Sequence, residues 1–149
     1  MPENDESKKR KARLRDLLCD RLGDYAHPRP RRPDWYSFTG GTVDVFITDA
    51  DMGLGWYDVQ QADVEELASQ TKSFFIFLLG HENHYLVIPA KDLSAQLLYH
   101  RGPTGRGFFH LNFSENHEGM RFKETPEWEL FPYLNEIERV EGVASPAVA

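Results

Sequence analysis

The most regular pattern in the chain is a pair of apolar runs near its middle, separated by a short polar stretch. Residues 74–79 are all apolar, residues 80–83 form the polar stretch, and residues 85–88 are apolar again. Continuous apolarity that is rich in aromatic and β-branched types and bounded by Gly80 and Pro89 predicts two strands covered on both faces. We therefore expect a central hairpin that helices and further strands hide from water.

The segments before this hairpin predict one helix, three strands and a second helix. Leucines recur at three- and four-residue spacing between residues 10 and 25, which predicts an amphipathic helix. Three prolines in residues 27–33 indicate a stiff basic connector, because proline removes a backbone donor and biases its neighbour towards extended backbone. Residues 35–38, 42–48 and 56–60 are predicted strands, and the spacing of Asp63 and Glu66 indicates a capping box at the start of a helix.

After the hairpin, the pattern predicts a helix capped by Asp92, strands at residues 108–113 and 120–122, and a last helix opened by Thr125 and Pro126. The glycine-rich stretch 101–107 is a predicted loop. The fold class is therefore α+β, an α/β sandwich in which a mixed central sheet of about five to six strands is flanked by helices. We expect a disordered polar tail at residues 1–9, one α/β domain at residues 10–141 and a flexible tail at residues 142–149.

Length and composition agree with a single globular domain. We expect this domain to be located in the cytoplasm, for the reasons below. The chain has 149 residues, 40% of them hydrophobic, which is enough for a sizeable core. A single cysteine, Cys19, excludes an internal disulfide and favours a reducing compartment. The first residues lack the apolar segment of a signal peptide, and no run of about 18 apolar residues occurs, so we expect no membrane partner.

Charge is distributed unevenly along the chain. The net charge is −7, but residues 1–34 carry ten Lys and Arg against seven acids, a balance of +3, while the remainder carries seven against seventeen, a balance of −10. An acidic body repels phosphate over a Debye length, so any contact with nucleic acid must be local and sensitive to salt. The basic amino-terminal segment is the candidate for such a contact.

Two carboxylates and an amide form the candidate catalytic group. Asp44 lies on one predicted strand, and Asp58 and Gln60 share one face of the next predicted strand. Two carboxylates side by side on neighbouring strands would bind Mg²⁺ through oxygens and leave room for water and phosphate, as phosphodiester hydrolysis requires.

The order of these elements resembles that of the PD-(D/E)xK nucleases, the restriction endonuclease-like fold. The αβββαβ order over residues 10 to 90 is similar, and Asp44 and the Asp58-Val59-Gln60 triplet fall where that family has its acid and its acid-x-Lys motif. The resemblance implies catalytic roles for Asp44, Asp58 and Gln60, and a magnesium ion held by the two aspartates. Gln60 stands where the family usually has lysine and Asp58 where glutamate is commoner, which implies that cleavage is absent or impaired.

Under this interpretation the protein binds DNA. Phosphate contacts are expected from the basic amino-terminal segment and from the loop at residues 101–107. The arginines in these two regions are Arg10, Arg13, Arg29, Arg31, Arg32, Arg101 and Arg106.

Three alternatives remain open. The acidic body favours a small interaction module, of the immunity or antitoxin type, that covers a basic protein partner. A strand with Phe108 and His110 on one face partly matches the aromatic strand motif of RNA-recognition domains. A catalytically silent domain of a larger assembly is the third alternative.

Overall fold

The computed structural model describes residues 5–38, 43–49, 56–70, 72–81, 84–100, 107–116 and 119–144. Within them the chain forms four helices, eight strands and one 3₁₀ turn at Phe131–Tyr133. The helices are α1 (Asp5–Leu22), α2 (Gln61–Ala68), α3 (Ala90–His100) and α4 (Glu138–Ala144). The strands are β1 (His27–Arg29), β2 (Arg32–Phe38), β3 (Val43–Asp49), β4 (Trp56–Gln60), β5 (Ser73–His81), β6 (His84–Pro89), β7 (Phe108–Asn116) and β8 (Gly119–Phe122).

Five strands form one mixed sheet in the order β1-β2-β3-β5-β6. The β3–β5 pair is parallel and the other neighbouring pairs are antiparallel. The predicted central hairpin is β5–β6, in which Ile76 lies opposite Val87. A parallel neighbour requires a crossover, and the chain uses β4 and α2 for it.

The remaining three strands form a second, antiparallel sheet in the order β4-β7-β8. Tyr57 and Val59 of β4 point into the core, together with Phe109 and Leu111 of β7. The predicted α+β class is confirmed, but the strands are divided between two sheets. The prediction that β4 follows β3 within one sheet is wrong: β3 pairs with β2 and β5, whereas β4 pairs with β7.

The five-stranded sheet is covered on both faces, as the apolar runs predict. On one face, Ile76 and Val87 belong to a core that includes Leu14 and Leu18 of α1 and Val140 of α4. On the other face, residues of β5 and β6 pack with α2, α3 and the three-stranded sheet. The hydroxyl of Tyr57 donates a hydrogen bond to the carbonyl of Leu78, which joins the two sheets directly.

Several local predictions are corrected by the structure. Helix α1 begins at Asp5, so residues 5–9 are helical rather than a disordered tail. The basic connector contains strand β1, which forms a hairpin with β2 at the sheet edge, where a proline's missing donor costs little. Thr125 and Pro126 open turns rather than a helix, and α2 begins before the predicted capping box, with Gln60 at its N-cap.

None of the helices in the described part of the chain is both long enough and apolar enough to cross a membrane.

Candidate functional site

Asp44 is buried and already holds two hydrogen bonds. It lies on the same face of β3 as Phe46, towards α2, α3 and the second sheet, and is 6% exposed. Its Oδ1 accepts hydrogen bonds from Nε1 of Trp35 at 3.0 Å and from Oγ of Ser37 at 2.6 Å, both on β2. This carboxylate therefore fastens β2 to β3 from the buried side.

Asp58 and Gln60 lie on the outer face of the three-stranded sheet. Alternation along β4 sends Tyr57 and Val59 inwards and leaves Asp58 and Gln60 exposed. Asp58 is in register with His110 of β7, and its carboxylate contacts Nδ1 of that ring. Gln60 ends the strand at the N-cap of α2, where its side chain makes no capping hydrogen bond.

These positions do not fit one magnesium ion shared by the two aspartates. A Mg²⁺ site needs oxygens about 2.0–2.1 Å from the ion in octahedral geometry. Asp44 lies on the inner face of one sheet, whereas Asp58 projects from the outer face of the other. Over the residues that the structure describes, no group of three or more His, Cys, Asp or Glu side chains is placed to hold a metal.

Two of the candidate arginines flank a buried tryptophan. The guanidinium of Arg29 lies 4.2 Å from the centre of the Trp35 ring, and that of Arg32 lies 5.4 Å from it. Both arginines also pair with Glu66 of α2, and Arg32 contacts Asp63 at 3.2 Å. Arg29 and Arg32 therefore fix the β1–β2 hairpin against α2, and acids of the same fold neutralise much of their charge.

The other candidate arginines have different surroundings. Arg10 pairs through Nη2 with Asp49 at 2.6 Å, and this carboxylate also accepts a hydrogen bond from Ser7, so α1 is anchored to β3. Arg13 is exposed on α1. Arg31 is exposed in the turn between β1 and β2. The loop prediction that includes Arg101 and Arg106 lies outside the described residues.

A second set of cations lies beside this hairpin. Lys11 of α1 contacts Asp34 of β2 at 3.1 Å. Arg15, one turn further along α1, pairs with Asp16 at 3.3 Å and is close enough to Tyr36 of β2 to interact with it. Helix positions 8, 11 and 15 share one side of α1, so exposed Lys8 lies on the same side. We call Lys8, Arg15 and Arg31 the basic edge. The sequence shows that these cations are present, but it does not predict that they lie beside one another in the fold.

A cavity of about 200 Å³ opens next to the basic edge. The start of the hairpin, residues 31–34, forms one wall, and Phe46, Gln60 and Asp63 complete the lining. Burial raises the pKa of Asp63, an effect that nearby Arg32 opposes. Sequence reasoning missed this cavity because its lining comes from three separate segments. Gln60, proposed from the resemblance, is the one predicted catalytic residue that lines it.

Comparison with models of protein families, with curated proteins and with solved structures gives no match for this chain.

Proposed function

We propose that this protein is a cytoplasmic DNA-binding domain that holds duplex DNA by the basic edge and does not cleave it. The observation that carries the proposal is the contact between Lys11 and Asp34, because it brings the basic side of α1 against the hairpin that bears Arg31. A helix and a two-stranded ribbon are the elements that the major groove admits, and exposed cations beside them contact phosphates.

The proposed contact is local, as the charge balance requires. The body of the chain is acidic, and Arg29 and Arg32 are already paired with Glu66. Phosphate contacts therefore fall mainly to Lys8 and Arg31, the two exposed cations of the basic edge, and affinity decreases steeply with salt. Arg29 and Arg32 are assigned a supporting role, since their contacts with Trp35 hold the hairpin in position.

The proposal excludes cleavage by the aspartates because of where their carboxylates lie. Oδ1 of Asp44 accepts hydrogen bonds from Trp35 and Ser37. Asp58 lies on the far side of the other sheet and contacts His110. Neither carboxylate is placed to share a phosphate-bound ion with the other.

Titration of binding against salt tests this function. Wild type is expected to shift a duplex at about 50 mM salt and to lose affinity linearly with the logarithm of salt concentration. Arg31→Ala and Lys8→Ala are each expected to reduce the slope of that line by about 1. Lys123→Ala removes an exposed cation at the end of β8 and is the matched control, expected to leave the slope unchanged. Wild type that shifts no duplex at this salt would contradict the proposal.

A second candidate function is supported by the pairing of the arginines. Arg10, Arg29 and Arg32 are all paired with acids of the same chain, which leaves the acidic body as the larger free charge. A protein of this kind would cover a basic protein partner in fast, salt-dependent association. Recovery of a basic protein bound at stoichiometric amounts, together with no DNA shift, would favour this function over the first.

A further inference from the structure

The cavity beside the basic edge is large enough for one small planar group, and its lining combines charged and polar residues with one aromatic ring. Its volume of about 200 Å³ is below the range of about 300–1,000 Å³ that holds drug-sized ligands. Phe46 lines it and is only partly buried, and its ring packs at 5.1 Å against that of Phe75 in the core. A flat ring entering the cavity would therefore meet an aromatic surface that is supported from behind.

Polar groups stand at the edge of the same space. Gln60 at the end of β4 lines the cavity, and its exposed side-chain amide, which makes no capping hydrogen bond to α2, has both a donor and an acceptor. Asp63 contributes a carboxylate that lies 3.2 Å from Arg32 on a side chain that is 10% exposed. An aromatic surface with donors and acceptors at its edge is the arrangement that recognises an unstacked base by its hydrogen-bonding edge.

The backbone at the mouth of the cavity is held in a costly conformation. Arg31 has φ of 66°, in the left-handed region, which costs about 1–2 kcal/mol for a residue with a Cβ. The turn between β1 and β2 fixes this conformation, and Arg31 also lines the cavity. Arg31 is exposed and lines the cavity, so its cation is available to a phosphate that flanks an inserted base.

We infer that the cavity receives one unpaired base extruded from the DNA duplex, with the base stacked on Phe46 and its edge bonded by Gln60. The inference rests on the proposed DNA binding and adds a ligand to it. Extrusion costs least for a mismatched base, because that base has already lost its pairing. The protein is thus expected to prefer duplexes that contain a mispaired base over fully paired ones.

Three duplexes of one sequence test this inference: one fully paired, one with a mispaired adenine, and one with a stable abasic residue at that position. The abasic duplex has likewise lost the base pair at that position, but it has no base to insert. Wild type is expected to bind the mismatched duplex about tenfold more tightly than the other two, which is the scale of one base–aromatic stack. Fluorescence of 2-aminopurine placed at the mispaired position is expected to increase on binding.

Two variants test whether the cavity, rather than the rest of the surface, causes the preference for a mispaired base. Gln60→Ala and Phe46→Leu are expected to reduce the preference to below about threefold while affinity for paired DNA stays unchanged. Gln61→Ala is the matched control, since that amide is bonded to Glu65 on the outside of α2 and does not line the cavity. Equal binding of all three duplexes, or a preference retained by Gln60→Ala, would overturn the inference and leave DNA binding intact. Absence of binding to every duplex would instead overturn the proposed function.

Discussion

The indole N–H of Trp35 donates a hydrogen bond of 3.0 Å to Oδ1 of Asp44. The guanidinium of Arg29 lies 4.2 Å from the centre of the same indole ring and also pairs with Glu66 of α2. Trp35 therefore links the arginines of the β1–β2 hairpin to the buried carboxylate of β3.

Replacement of this tryptophan by phenylalanine tests the connection. Trp35→Phe keeps an aromatic ring in the core but removes one of the two donors to the buried Asp44 carboxylate. We expect a loss of about 1.5–3 kcal/mol in the free energy of unfolding, the usual contribution of one hydrogen bond to a charged group. Urea unfolding measures it. A variant as stable as wild type would show that water or another donor replaces the indole.

Removal of Arg10 from its buried pair with Asp49 is expected to destabilise the fold more than Trp35→Phe does. The Asp49 side chain is 0% exposed and pairs with Arg10, so Arg10→Ala would remove a cation from a buried carboxylate. We expect a destabilisation of about 3–5 kcal/mol. Lys9→Ala, on the same helix and facing solvent, is the control and is expected to cost less than about 1 kcal/mol. Similar losses in both variants would contradict the anchoring of α1 by this pair.

The lowered pKa of Glu129 predicts that the stability of the fold depends on pH in the acid range. Burial by itself would raise the pKa of Glu129, but backbone N–H groups of Met120, Phe131 and Leu130, with Arg121, hold it below the ordinary value of 4.5. A carboxylate with a lowered pKa in the folded state stabilises that state above the unfolded pKa and ceases to do so as pH falls through the folded value.

The matching experiment compares wild type with Glu129→Gln across pH. The advantage of wild type is expected to be complete above pH 4.5 and to shrink steadily as the pH falls below it. Thermal unfolding between neutral and acid pH measures the difference. Glu127→Gln, an exposed neighbour, is the control. A difference between wild type and Glu129→Gln that stays constant below pH 4.5 would refute this role.

Cleavage is the subject of a fourth prediction. Because Asp44 and Asp58 occupy different faces of different sheets, supercoiled plasmid incubated with the protein and Mg²⁺ is expected to remain supercoiled. Gel electrophoresis detects nicking at high sensitivity. Magnesium-dependent nicking by wild type that Asp58→Ala abolishes would restore the catalytic roles implied by the resemblance to PD-(D/E)xK nucleases.

Patterns that act locally gave correct predictions. The two apolar runs form β5 and β6, and alternation over residues 108–113 lies within β7, because each signal reports burial of the segment that carries it. The prolines near residue 30 argued against a strand, yet an edge position tolerates them, and β1 forms there. An edge strand differs from a central strand only in its neighbouring strands, and a local sequence pattern does not report which strands are neighbours.

The candidate site was harder to predict for the same reason. Asp44 and Asp58 were paired by analogy with an order of elements, but that order is compatible with β4 joining either sheet. The cavity combines Arg31, Phe46 and Gln60 from three segments, and their proximity depends on packing between distant elements. The acids that pair with Arg29 and Arg32 also come from α2, which the charge count alone treated as part of a separate acidic body.

The ladder between β4 and β7 joins residues such as Asp58 and His110, which are 52 positions apart in the chain. During synthesis, β4 leaves the ribosome well before its partner strand. Until β7 follows, the apolar side chains of Tyr57 and Val59 have no sheet to complete, and exposed surface of this kind promotes aggregation. A nascent chain halted before residue 108 would therefore depend on chaperones more than the finished protein does.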